Sequence, residues 1–384
     1  MNRKILSVGH MEFPLGQAQV QRQLLMAKAI TLGGRDVTVL CRYGIYNQSD
    51  DLSPEGIFEG IHYIYCSGTT VRSKSILKRN FLKFKGLFNE FRYYKKYNRS
   101  NQLEGVIVST NRFYNILYYF FLGKIFKVPT VVDNVEYWSS IKLARGFKRF
   151  DKILYDKHYF RFADKIICIS DFLISKIPNR IKHKIVKIPV ITDFDIFQQM
   201  KNKERMLKEN YFLFCGSENY FDIIEFVIRA FEKSADRTNM LLVLVTRKTE
   251  KLKSRLRSSP FERRIMVFER IPYVNLINLY CNSEALIIPM RNTDQDKARF
   301  PHKIGEYCAS GKPIITNPVG EVLNYFNASN ALLCESYDVN AYSRQMIAVA
   351  NHEVDSNLIS QNSYNTGLRN FNYRSYTETL INLF

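Results

Sequence analysis

Apolar residues in this chain fall into short blocks, and between the blocks they recur at helical spacing. Residues 4–8, Lys-Ile-Leu-Ser-Val, read as a strand. Residues 17–32 read as a helix with Leu24, Leu25, Ala27 and Ile30 on its apolar side, and Gly33-Gly34 ends it. Residues 36–41, Asp-Val-Thr-Val-Leu-Cys, form the next strand, so the chain opens on a βαβ unit with a parallel pair. Further strands are expected at 61–66, 105–109, 129–133, 165–169 and 185–188, with helices between most of them, notably 114–126 and 147–162.

A second alternating set follows a polar stretch at 198–210. Its strands are expected at 211–215, 240–245, 265–268, 285–288, 313–315 and 331–334. Its helices are expected at 220–233, 249–258, 274–281, 303–309, 320–326 and 339–351. The pattern predicts an α/β protein of two doubly wound, Rossmann-like domains, with ligands held beyond the carboxyl ends of the strands in a central cleft. The expected boundaries are 1–195, 196–365 and a C-terminal helix at 366–384 that returns to the first domain.

The densest chemistry lies at 299–316, Arg-Phe-Pro-His-Lys-Ile-Gly-Glu-Tyr-Cys-Ala-Ser-Gly-Lys-Pro-Ile-Ile-Thr. It reads as a loop, a short helix carrying Glu306, a Gly311 stop and a buried strand from Pro313. A carboxylate on the first turns of a helix, beside Arg299, His302 and Lys303, suits a phosphorylated sugar. Cations and the helix N-terminus attract phosphate, and the carboxylate accepts ribose hydroxyls. The same residues also suit a solvated face whose charges pair at i, i+3 and i+4.

The net charge is +20 over 384 residues, which calls for an anionic partner: nucleic acid, a membrane face or phosphorylated substrates. Residues 72–99 hold much of it, with Glu90 the one acid. Ile76, Leu77, Phe81, Phe84, Leu87, Phe88 and Phe91 recur there at helical intervals. That is the pattern of an element lying on an anionic membrane surface, and also of a helix packing its Phe/Leu stripe on its own domain; a mixture of the two is expected. Seven scattered cysteines without a CxxC, and no HExxH, suit core packing in a reducing cytosol, not a disulfide or metal site. The N-terminus reads as a strand, not a signal peptide, and charges interrupt every candidate membrane span.

The loop after the first strand, Gly9-His-Met-Glu-Phe-Pro-Leu-Gly16, is neither GxGxxG nor a Walker A sequence, though Gly16 would still permit close approach of backbone to ligand. Asp193-Phe-Asp195 matches a metal-binding DxD only superficially and reads as a linker; no metal or cofactor is expected.

Four segments carry a family resemblance: 14–40, 163–170 (Ala-Asp-Lys-Ile-Ile-Cys-Ile-Ser), 271–289 and 299–316. In this order the chain resembles the retaining glycosyltransferases of the GT-B fold, specifically the family 4 group that builds bacterial surface polysaccharides. The resemblance implies a cytoplasmic hexosyltransferase, peripheral on the inner face of the cell membrane. It would move sugar from a UDP- or GDP-sugar to a lipid-linked or oligosaccharide acceptor. It implies that Glu306 anchors the ribose, that Arg299 and Lys303 neutralise the diphosphate, and that Ile271 and Tyr273 hold the base. Gly16, Gly216, Arg247, His302 and Gly305 would complete the donor site, and Glu136 would position the acceptor hydroxyl or be a plain loop carboxylate. A retaining front-face displacement needs no protein nucleophile, and no Ser-His-Asp or Cys-His set stands out.

The chain departs from the family pattern in three places. Ala298 stands where the family often has a first glutamate, eight residues before Glu306. Phe221 stands near where a basic residue usually touches the diphosphate, so Arg247, Arg299 or Lys303 would replace it. Asn134-Val-Glu136-Tyr-Trp138 stands where a histidine is usual. Ala298 and Phe221 keep open a catalytically degenerate, nucleotide-sugar-binding or structural subunit. A glycosidase, a sugar-nucleotide epimerase and a nucleic-acid binder are lesser readings.

Overall fold

The computed structural model of the protein describes residues 3–9, 11–16, 18–47, 52–141, 146–200 and 203–384. The chain forms two compact units, Met1–Ile191 with Tyr373–Phe384, and Thr192–Asn372. The first crossing thus falls four residues before the one read from the sequence, and the return falls at 373, not 366.

The first unit is built on an eight-stranded sheet. Its strands are β1 (Lys4–Val8), β2 (Asp36–Cys41), β3 (Glu55–Phe58), β4 (Ile61–Tyr65), β5 (Leu103–Val108), β6 (Thr130–Asn134), β7 (Lys165–Cys168) and β8 (Ile185–Lys187). They lie in the order β3-β4-β2-β1-β5-β6-β7-β8. All neighbours are parallel except β3, an edge strand antiparallel to β4 that the periodicity did not announce. Its four residues, Glu-Gly-Ile-Phe, carry too little apolar alternation to be seen.

The helices are α1 (Ala18–Leu32), α2 (Ile76–Arg99), α3 (Phe113–Phe126), α4 (Phe147–His158) and α5 (Asp171–Ser175). α1 packs against the C-terminal segment, including the helix Thr377–Ile381, whereas α2 packs on α3 and α3 on α4. Arg22 of α1 is a fully buried stitch. Its guanidinium grips Asp133 on β6 (3.0–3.2 Å) and donates to the Pro189 (2.6 Å) and Ile188 (3.0 Å) carbonyls.

On α2 the expected division between core and rim falls elsewhere. Leu87 and Phe91 are half-buried, while Ile76, Leu77, Phe81, Phe84 and Phe88 are exposed. The buried stripe is Gly86, Glu90, Tyr94 and Tyr97.

The second unit holds a six-stranded, wholly parallel sheet: β9 (Tyr211–Cys215), β10 (Leu241–Val245), β11 (Ile265–Phe268), β12 (Ala285–Ile288), β13 (Ile314–Thr316) and β14 (Leu332–Leu333). The order is β11-β10-β9-β12-β13-β14, so the strand order reverses between β9 and β12. Its helices are α6 (Phe194–Met200), α7 (Phe221–Ala235), α8 (Glu250–Arg257), α9 (Tyr273–Cys281), α10 (Asp294–Ala298), α11 (Lys303–Ser310), α12 (Val322–Tyr325), α13 (Val339–Ala350) and α14 (Ser356–Phe371). Gly311 caps α11 in the left-handed conformation (φ +67°), and its N–H bonds the Cys308 carbonyl, the stop read from the sequence. Asp193 accepts the Asp195 N–H at the start of α6, so the Asp-Phe-Asp motif opens a helix.

Candidate functional site

In the second unit the carboxyl end of β9 meets the N-terminal turns of α11. Tyr307 makes the join: its buried hydroxyl accepts the Cys215 N–H at 3.3 Å, and its ring meets Tyr280 edge-on. This places Cys215 and Gly216 beside Lys303 and Glu306, at the point where the sheet order reverses.

Glu306 is almost fully buried (8% exposed), and Tyr273 of α9 donates its hydroxyl to Oε1 at 3.0 Å. Burial raises the Glu306 carboxyl above its ordinary value, with Lys303 and the Tyr273 hydrogen bond pulling the other way. The Cys215 sulfur and the Glu306 carboxylate hold the Lys303 ammonium above its ordinary value, against the cost of burial. His302 precedes α11, and its side chain makes no cap hydrogen bond to the first turn. Gly305 is buried inside the helix. A proton-accepting carboxylate, a cation and a helix N-terminus therefore lie together.

Arg299 belongs to a neighbouring cluster. Its Nη2 pairs with the fully buried Asp296 at 2.8 Å, and its guanidinium lies 4.5 Å above the Tyr220 ring. Arg291, three residues beyond β12, also binds Asp296 (Nε 2.9 Å, Nη2 3.0 Å) and reaches Asp222 at 2.6 Å. Asp296 thus fastens both arginines. Neither Arg291 nor Asp296 was singled out from the sequence, although Thr293-Asp-Gln-Asp296 has the spacing of a helix cap, and Thr293 does accept the Asp296 N–H. Ala298 is fully buried.

Of the three cations offered as stand-ins at the Gly216 strand end, Lys303 is the one the fold places beside Cys215. Arg299 is held by Asp296, and Arg247 points to solvent 3.6 Å from Glu218. Phe221 opens α7 with the Lys251 ammonium over its ring. A Cβ on Gly216 would strike the Phe214 ring at 2.6 Å. Ile271 is half-buried just ahead of α9.

In the first unit, Gly9 ends β1 with φ +93°, and a Cβ there would lie 2.7 Å from the Ser109 carbonyl oxygen, so only glycine fits. Gly16 has a local packing reason as well: a Cβ would meet Val20 and Glu12. Glu136 lies just beyond β6 and is half-buried. It opposes the burial and the Arg112 charge that lower the Lys152 ammonium. A cavity of about 300 Å³ opens beyond the carboxyl ends of these strands, lined by Arg42, Tyr43, Asn80, Lys83, Phe84 and Asn115 among others.

Residues 195–366 match the family model of glycosyl transferases group 1. Sucrose-phosphate synthase from Thermosynechococcus elongatus superimposes with a TM-score of 0.76 at 14% identity, over 100% of this chain and 98% of that one. A glycosyltransferase from Rickettsia africae gives 0.70 at 16% identity, over 100% and 98%. Anabaena HepE, solved in complex with UDP and glucose, gives 0.71 at 12% identity, over 99% of each chain. No sequence match is found among curated proteins. The fold is the GT-B fold, and with the match over 195–366 it supports a glycosyltransferase.

Proposed function

We propose that the protein is a retaining, family 4-like hexosyltransferase. It would move a sugar from a UDP- or GDP-sugar to a lipid-linked or growing glycan acceptor in cell-surface polysaccharide synthesis, peripheral on the cytoplasmic face of the membrane. The observation that carries this reading is the buried Glu306 on the first turns of α11, beside Lys303 and the β9 end. In this reading Glu306 accepts the ribose hydroxyls and so sets the register of the donor. Tyr273, through its bond to Oε1, keeps that carboxylate aimed. Lys303 and the α11 N-terminus meet the diphosphate, whose charge grows as the anomeric bond breaks. A cation placed there stabilises the transition state more than the bound donor. Arg299 and Arg291 extend the positive rim, and Asp296 holds them in place.

The complexes of HepE with UDP and with UDP-glucose favour a nucleotide-sugar donor. The first-unit cavity, with Lys83, Tyr43 and Asn80 on its lining, suits a polyhydroxylated acceptor bearing an anionic group. Glu136 stands ready to orient its hydroxyl. The charge of +20 favours work at an anionic surface over work in bulk solution.

A thermal-shift screen against UDP, GDP, ADP, CMP and their common sugars tests the donor. A ligand at about a hundred times its dissociation constant stabilises the fold by about 2.7 kcal/mol. Glu306→Ala should weaken donor binding by roughly tenfold to a hundredfold, as expected for a lost charged hydrogen bond. Unchanged turnover in that variant would remove Glu306 from the site. Because the proposed electrophilic assistance comes from the chain's own cations, turnover should survive EDTA. Activity lost to EDTA and restored by Mg²⁺ or Mn²⁺ would overturn that part.

Ala298 favours a second reading, a binding subunit without catalysis. That subunit would shift with a nucleotide-sugar yet transfer nothing to any acceptor.

A further inference from the structure

α2 buries the side that its composition would leave in water. Gly86, Glu90, Tyr94 and Tyr97 form its inner stripe, whereas Leu77, Phe81, Phe84 and Phe88 follow one another at intervals of four, three and four. At about 100° per residue these two stripes lie on opposite sides of the helix. The outer stripe is strongly exposed, from 59% at Phe88 to 84% at Leu77.

A buried polar network sets this rotation. Arg42 reaches across to Glu90 (2.8 Å), Asn115 (2.8 Å) and the Tyr119 hydroxyl (2.9 Å), and Tyr119 donates to Glu90 (3.0 Å). Turning the Phe/Leu stripe inward would strand that buried ion pair.

α3, packed beside it, is apolar almost all round, with Lys124 its one charge, yet it leaves Tyr114, Phe121 and Ile125 exposed on one line. Phe147 and Phe150 are exposed at the start of α4. Every exposed phenylalanine among the described residues lies on these three adjacent helices.

The exposed charges on these helices are cationic, although Lys124 is paired with Asp164, from outside them, at 2.8 Å. α2 carries eight lysines and arginines, and its one carboxylate, Glu90, is fully buried against Arg42. α3 has no acid. On α4, Asp151 is buried, and Asp156 is occupied by the backbone N–H groups of Trp138 and Ser139.

We propose that the outward stripes of α2 and α3 dock onto an anionic lipid bilayer, with the rings and Leu77 entering the headgroup boundary and the lysines and arginines meeting lipid phosphates. Aliphatic and phenyl groups ringed by cations suit that boundary. A second copy would oppose like charge to like, and a nucleic acid has no use for exposed Leu77 and Ile125. The inference rests on the membrane part of the reading above and not on the transfer chemistry.

Co-sedimentation with vesicles tests it, using phosphatidylcholine alone and phosphatidylcholine mixed with phosphatidylglycerol. The protein should pellet with the anionic vesicles, less so as salt rises, and little with neutral ones. The variant carrying Leu77→Ser, Phe81→Ser and Phe88→Ser alters only exposed positions and should bind anionic vesicles at least about tenfold more weakly. It should keep its nucleotide-induced thermal shift.

Failure of the parent protein to pellet with either vesicle overturns the proposal, as does a triple variant that pellets normally. A dimer that the triple substitution dissolves, or RNA binding that it abolishes, with no vesicle binding in either case, assigns the face to another partner and also overturns it. Vesicle binding by a protein that transfers no sugar leaves the docking surface standing and removes only the transfer chemistry. Glu306→Ala should pellet like the parent.

Discussion

Glu306 concentrates the site's physics in one side chain. Folding raises its pKa above the ordinary 4.5, because burial penalises the carboxylate more than Lys303 and Tyr273 restore it. A carboxyl raised in this way favours the folded state while protonated, and that contribution disappears as pH rises through the raised value. Donor binding makes the opposite demand, since ribose hydroxyls need an ionised acceptor. Nucleotide affinity should therefore fall on acidification at a pH above 4.5, earlier than for an exposed glutamate. In Glu306→Gln that step should vanish and affinity should be lower throughout. Titration calorimetry across the acid range would show it, and an identical acid step in the glutamine variant would refute the assignment.

At the scale of elements, the position of α11 depends on a helix without hydrophobic periodicity. α14 turns Ser360, Ser363 and Gly367 inward, small residues with only Phe371 after them, and so leaves no apolar stripe to read. Their smallness lets the two helices approach: a Cβ on Gly367 would lie 2.3 Å from the Cys308 Cβ. Gly367→Ala should cost about 1–3 kcal/mol by overpacking. Because it pushes on the helix that carries Lys303 and Glu306, it should also weaken nucleotide binding. Denaturant melts paired with a UDP titration would separate the two effects, and a fully stable variant would show that α14 yields. In the first unit, Asp133→Ala leaves Arg22 buried without its counter-charge and should cost about 3–5 kcal/mol, well beyond the value of an exposed ion pair.

Over the whole molecule the chain completes its first unit last. Tyr373, Leu380 and Leu383 belong to that unit's core, Ile381 fills the space over Gly33, and Phe384 fills the space over Gly105. A chain ending at Asn372 should therefore lose stability in the first unit and keep the donor half of the site. Calorimetry should find the first unit melting lower, while UDP or GDP still stabilises the second. Loss of the nucleotide response in the truncated chain would contradict that division.

The alternation of β-branched blocks with amphipathic stretches was enough to determine two α/β sheets, parallel but for the short edge strand β3, since buried strands and crossover helices each leave a local periodicity. The segment 299–316 likewise carried its loop, helix, left-handed Gly311 and strand in order, because caps and stops are local chemistry. Tertiary structure decided what depends on distant partners. Asp296 gathers Arg291 and Arg299, and only a buried carboxylate at that spot selects those two from the chain's many cations. Tyr273, read as a base-holding residue, proves to donate to Glu306 across 33 positions. The rotation of α2 was also beyond local reading: hydrophobicity alone would turn its phenylalanines inward, and the ion pair of Glu90 with Arg42, 48 residues apart, turns them out.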